Sequence, residues 1–165
     1  MNEYYTPDEK YLQAVDKFTL GKTPKALKLL NEIVSNDPLY ARAHHQLGKI
    51  HYYDIEDYQT AGYHFKICME LEPSFPGNYY HYLNLVVFLN MQKQVKLIAE
   101  KALTVPGVEY ADIYDLLGLS AEKNKRWDEA LGAYNKAYDE ATDKKEREKL
   151  EESVERVKAK MNRLK

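Results

Sequence analysis

The sequence predicts an all-α protein, an α-solenoid of four antiparallel helix pairs with a C-terminal capping helix. Three observations predict it. An apolar triplet at helical spacing returns four times, turn-forming residues separate the copies, and the end of the chain carries one narrow apolar seam on an otherwise charged helix. The triplets are Ala26/Leu30/Ile33, Ala61/Phe65/Cys68, Val95/Ala99/Ala102 and Ala130/Tyr134/Ala137, so every column steps by 35, 34 and 35 residues. The spacing i, i+4, i+7 is one stripe of an α-helix. A period in this range marks supersecondary units that bury their apolar faces only against one another.

The elements follow in order. Thr6 offers an N-cap, Pro7 a first helical residue and Glu9 the reciprocal acceptor of a capping box, which starts a helix near 8–20. Gly21 ends it. Thr23 and Pro24 start the second helix, 23–36, in the same way, and Asp37-Pro38 closes it because proline disfavours helix at the residue before it. The second pair spans 40–53 and 57–71 and closes at Glu72-Pro73. The third spans 77–90 and 93–104 and closes at Val105-Pro106; the fourth spans 110–123 and 126–140. Ahead of each triplet lies a second set of columns, Gln13-Ala14, Leu47-Gly48, Leu83-Asn84 and Leu117-Gly118. Glycine inside a helix costs roughly 1 kcal/mol relative to alanine, so its recurrence predicts a gap into which a neighbouring backbone packs. The last helix, 143–163, aligns Leu150, Val154, Val157, Met161 and Leu164 in steps of 4, 3, 4 and 3. That seam predicts a cap over the fourth pair, since the end of a stack must be covered; the competing reading is a short coiled coil that makes a homodimer.

These residues resemble the tetratricopeptide repeat (TPR) family, whose pattern is W-x2-L-G-x2-Y, then A-x3-F, then Pro, at a period of 34. The second unit matches at Leu47-Gly48, Tyr58, Ala61, Phe65 and Pro73, and the fourth at Tyr114, Leu117-Gly118, Trp127, Ala130, Tyr134 and Ala137. The first has Gln13-Ala14 for Leu-Gly, and the third is degenerate, with Asn84 for Gly and Val95 for Ala. The resemblance implies one TPR-like domain over 1–165, with repeats at 7–38, 41–73, 77–106 and 110–141 and a capping helix at 143–163. A pentatricopeptide array would need a positive groove for RNA, whereas residues 1–141 carry a net −5.

Composition bounds the rest. A chain of 165 residues buries a core without metal or disulfide staples. The single cysteine, Cys68, makes no internal disulfide and suits a reducing compartment. The longest apolar run, Leu85 to Leu89, is five residues, so no membrane insertion is expected. The acidic start, Met1 to Glu9, lacks the regions of a secretory signal peptide, and a cytoplasmic location is expected. With 24 Lys+Arg against 26 Asp+Glu, no nucleic-acid footprint is expected. Residues 142–165 hold nine basic and six acidic groups, hence +3, but the signs alternate as on a solvated helix.

No catalytic constellation stands out. His44, His45 and His51 lack H-E-x-x-H spacing, no serine lies in G-x-S-x-G, and no phosphate-cradling glycine loop occurs. Cys68 falls in a small-residue core column, which predicts inert packing. Neither enzyme activity, cofactor nor metal is therefore expected. Function is expected instead on the concave face, which the resemblance assigns to the first helix of each pair. There the candidate partner-binding groove comprises Tyr11, His45, Lys49, Tyr52, Tyr53, His81, Tyr82, Leu85 and Phe88. Eight of the 15 tyrosines lie between Tyr40 and Tyr82. Tyrosine suits a peptide surface, with large apolar area and a polar tip, and it equally fills repeat interfaces; both readings stand. The Lys, Asn and Arg clamp by which some family members hold chaperone tails is replaced by Tyr11, Val15, Gln46, Asn78 and Tyr82. The expected activity is a non-catalytic scaffold or adaptor that binds an apolar or aromatic partner segment. A self-assembling structural protein is the alternative.

Overall fold

The computed structural model describes residues 5–165. Among them lie nine α-helices: α1 (Pro7–Thr19), α2 (Thr23–Asn36), α3 (Ala41–Ile50), α4 (Tyr58–Leu71), α5 (Gly77–Phe88), α6 (Gln92–Ala102), α7 (Tyr110–Lys123), α8 (Trp127–Glu140) and α9 (Lys144–Arg163). A π-helical turn, His51–Ile55, extends α3. α1 packs on α2, α3 on α4 and α7 on α8; α2 also meets α3, α6 meets α7, and α9 lies on α8. This is a TPR-like all-α solenoid of antiparallel helix pairs with a C-terminal helix. The chain divides into two compact units, one up to Asn78 and one from Tyr79.

Local chemistry accounts for the helix ends. At α1 the capping box forms: the Thr6 hydroxyl accepts from the Glu9 N–H at 3.2 Å, and the Glu9 carboxylate accepts from the Thr6 N–H at 2.7 Å. Gly21, at φ +72°, turns the chain out of α1, with the Gly21 N–H donating to the Phe18 carbonyl and the Lys22 N–H to that of Lys17. The same left-handed turn recurs at Glu56, Asn90 and Lys125, again 35, 34 and 35 residues apart. Backbone geometry thus repeats in phase with the apolar columns, although glycine serves only the first copy. Thr23 departs from its expected role. Lys22 is the N-cap of α2 and no side chain caps it; the Thr23 hydroxyl instead donates to Asp54 at 2.7 Å, tying α2 to the π-helical turn.

That turn has a numerical cause. Ala14 stands 12 residues before Ala26, and Gly118 stands 12 before Ala130, but Gly48 stands 13 before Ala61. The α3–α4 pair carries one residue more than α1–α2 and α7–α8 do, and a π-helical turn absorbs one residue without breaking the helix.

The recurring glycines are explained by rings rather than by backbones. A Cβ on Gly48 would come within 2.5 Å of the Phe65 ring, and one on Gly118 within 2.6 Å of Tyr134. The expected close backbone approach is therefore corrected: a flat aromatic of the partner helix fills each gap. In the first repeat Ala14 and Leu30 share one core, so a larger residue on α1 goes with a smaller one on α2. Within the first unit that core comprises Ala14, Ala26, Leu30, Ile33, Ala43, Leu47 and Ile50. In the second, Ala130, Tyr134, Ala137 and Ala141 of α8 and its end pack with Leu150, Val154 and Val157 of α9.

The α9 seam is thus occupied inside the chain, with Met161 partly buried against it, while Leu164 is 70% exposed and lies outside the contact. A buried carboxylate fastens the helix as well. Glu122 of α7 accepts from Arg156 through both of its oxygens at 2.9 Å, from Lys160 at 2.7 Å and from the Tyr134 hydroxyl at 2.8 Å. The Arg156 guanidinium, with Lys160 and Tyr134, holds the Glu122 carboxyl down to about 2.

Candidate functional site

Helix α3 and the π-helical turn that extends it carry most of the candidate residues of the first unit, and the two faces behave differently. On one, His44 is buried, its Nε2 2.8 Å from the Pro38 carbonyl and its Nδ1 3.0 Å from Nδ1 of His64. Because a carbonyl only accepts, His44 Nε2 carries a proton, and in the neutral pair His64 Nδ1 donates to His44 Nδ1. The His51 ring stacks on that of His64 at 5.8 Å, and its Nδ1 has no hydrogen-bond partner among the described residues. Burial lowers His64 to about 4, helped by the neighbouring His44 and His51. His51 is lowered too, again chiefly by burial. This histidine layer fills the α3/α4 interface. Among the described residues no group of three or more His, Cys, Asp or Glu is placed to hold a metal ion. Cys68 is fully buried, and burial raises its thiol to about 12.

The other face of α3 carries Arg42, His45, Lys49 and Tyr52, and only part of it meets solvent. His45 is 5% exposed: its Nδ1 lies 3.0 Å from Oδ1 of Asn78, whose Nδ2 donates to the Phe65 carbonyl, and the Phe75 ring meets it edge-on at 5.1 Å. Burial lowers His45 to about 4. The sequence placed His45 in the groove because helical phase puts it on the α3 stripe away from His44; the structure covers that point with Asn78 and Phe75. Lys49 is half-buried, with its Nζ 5.7 Å from the centre of the Phe18 ring, so α1 and α3 contribute to a common surface. Tyr52 is half-buried, and Tyr53 is 42% exposed. Their rings meet edge-to-face at 4.4 Å, with Tyr58 6.0 Å from Tyr52. Both tyrosines sit in the π-helical turn, so the inserted residue sets the direction in which they project. Tyr11 is half-buried beside Tyr40, with ring centres 5.7 Å apart.

In the second unit, Phe88 is 53% exposed and His81 half-buried, but Tyr82 at 7% and Leu85 at 1% lie in the interior. Helix α5 is mostly apolar, from Tyr79 through Val87, so periodicity alone did not separate its inner from its outer face. Tyr80, which sequence reasoning passed over, is 39% exposed beside His81 at 5.3 Å. Burial, Asp112 and Asp115 raise its hydroxyl. Asp112 and Asp115 are themselves raised by burial and, next, by neighbouring carboxylates, so this part of the unit concentrates negative charge. No helix among the described residues is long and apolar enough to cross a membrane.

No protein-family model and no curated protein matches the sequence. Solved structures do match. The chain is similar to a MamA structure from Desulfovibrio magneticus RS-1, residue 41 to the end, at 18% identity over 93% of each chain with a TM-score of 0.71. It is similar to a crystal structure of MamA protein at 20% identity, covering 92% of this chain and 89% of that one, with a TM-score of 0.70. At that identity the likeness lies in the fold, and nearly the whole chain shares its course with MamA.

Proposed function

We propose that the protein is a non-catalytic interaction scaffold whose first helices bind an apolar or aromatic segment of a partner protein. The observation that carries this reading is the aromatic turn of α3. An extra residue in the second repeat turns Tyr53 outward beside Tyr52 and Tyr58, where three rings offer amphipathic area at little conformational cost. Tyr11 and Lys49 extend that surface along the first unit; Tyr80, His81 and Phe88 are the accessible residues of α5 in the second. His45, Tyr82 and Leu85 support it from the interior rather than touching a partner. The MamA likeness supports a scaffold role at the level of architecture, since stacked helix pairs serve as extended binding surfaces.

Affinity capture from native lysate tests the reading. Tyr52→Ala/Tyr53→Ala is expected to lose the partner retained by the wild type while keeping helical circular dichroism. Equal capture by both proteins rejects the assignment of this surface.

A further inference from the structure

A second surface of the first unit shares only Tyr11 with that reading. Tyr11 and Leu12 of α1, Leu39 and Tyr40 of the α2–α3 turn, and Leu71 at the end of α4 line a groove of about 610 Å³. Its leucines are conspicuously wet: Leu12 is 66% exposed, Leu39 72% and Leu71 38%. Leu39 is fixed in place, because its N–H donates to the Asp37 carboxylate at 3.1 Å. The charged groups lining the groove are Asp8, Asp37 and Glu72 against Arg42, a net of −2. Arg42 is already engaged, lying 4.6 Å from the centre of the Phe75 ring and donating to Glu72 at 3.2 Å. Asp8 accepts from the Tyr40 hydroxyl. An apolar floor ringed by carboxylates repels an anionic lipid surface and favours a cation arriving with an aliphatic group.

We infer that this groove docks a partner segment presenting an aliphatic side chain beside a lysine or arginine. The aliphatic group covers Leu12, Leu39 and Leu71, and the cation meets Asp8, Asp37 and Glu72. Tyr11 alone belongs to both this groove and the first-helix surface, so the two can be separated by mutation.

The test uses fluorescence anisotropy with three labelled peptides of equal length: an amphipathic leucine/lysine peptide, a leucine/glutamate counterpart and a serine/lysine control. The leucine/lysine peptide is expected to bind. Leu12→Ser/Leu39→Ser is expected to weaken it about tenfold with unchanged thermal melting, and Tyr52→Ala/Tyr53→Ala to leave it at wild-type affinity. Asp37→Asn/Glu72→Gln keeps the leucines and is also expected to weaken binding, which provides a second reading should the leucine variant fail to fold. No binding of the leucine/lysine peptide overturns the inference. So does equal binding of either comparison peptide, wild-type affinity in a folded leucine variant, or loss of binding in the tyrosine variant.

Discussion

Gly48 and Gly118 sit where a methyl group would collide with a buried ring, Phe65 in one case and Tyr134 in the other. Alanine normally gains about 1 kcal/mol over glycine in a helix interior; here overpacking reverses the sign. Gly48→Ala is expected to cost roughly 1–3 kcal/mol in urea unfolding, and adding Phe65→Leu is expected to recover part of it. Ala14 with Leu30 in the first repeat is the native precedent for that pairing. A stabilising Gly48→Ala would contradict the packing account. The buried histidines make the second prediction. His45 and His64, lowered to about 4, resist protonation that the unfolded chain accepts near 6.5. Their stability contribution is therefore complete above pH 6.5 and is lost as pH falls toward 4, with His45 alone accounting for about 3 kcal/mol. Glu122, lowered to about 2, holds its contribution above 4.5 and yields it only as pH falls from there toward 2. Urea midpoints that stay flat from pH 7 to 4 would refute the histidine part. At this scale the sequence showed that His44 and Cys68 lie on core stripes, because helical phase places them there. It did not show the burial of His45, which depends on Phe75 and Asn78, some 30 residues away.

Among the elements, α9 shows how a highly charged helix is held. Its apolar seam is only three buried residues long, and the Glu122 pairings supply the rest. The two ends of that ion pair are unequal. Glu122 is 7% exposed at its side chain, whereas Arg156 and Lys160 are 46% and 42% exposed. Removing the cations strands a buried charge; removing the carboxylate lets the cations return to water. Arg156→Ala/Lys160→Ala is accordingly expected to cost about 3–5 kcal/mol and Glu122→Gln clearly less, with α9 amides exchanging faster in hydrogen–deuterium exchange in both. The reverse order would remove the argument. The boundaries of all nine helices were legible within about three residues, since prolines, Gly21 and the phase of the apolar stripes are local signals. The π-helical turn was equally present in the 13-residue spacing from Gly48 to Ala61, but its meaning depends on knowing which glycine faces which ring.

For the molecule as a whole, occupation of the α9 seam bears on assembly. Leu150, Val154 and Val157 already pack on α8, so a coiled-coil dimer through them would first have to strip α9 from α8. Leu150→Ala/Val157→Ala is expected to lower the melting temperature by several degrees and to leave the sedimentation coefficient of the folded protein unchanged. A dimer that dissociates in this variant would reinstate the coiled coil. By itself, the sequence determined the all-α class, the recurrence of the apolar triplet, the approximate helix limits and the small-residue columns, because each follows from local turn chemistry or from helical phase. Only the tertiary structure decided which stripe residues remain accessible. Tyr53 and Phe88 are exposed, but His45, Tyr82 and Leu85 are covered, and Leu12, Leu39 and Leu71 come from separate segments to line one groove. Exposure is a property of what packs against a residue, and those neighbours lie a repeat away in sequence.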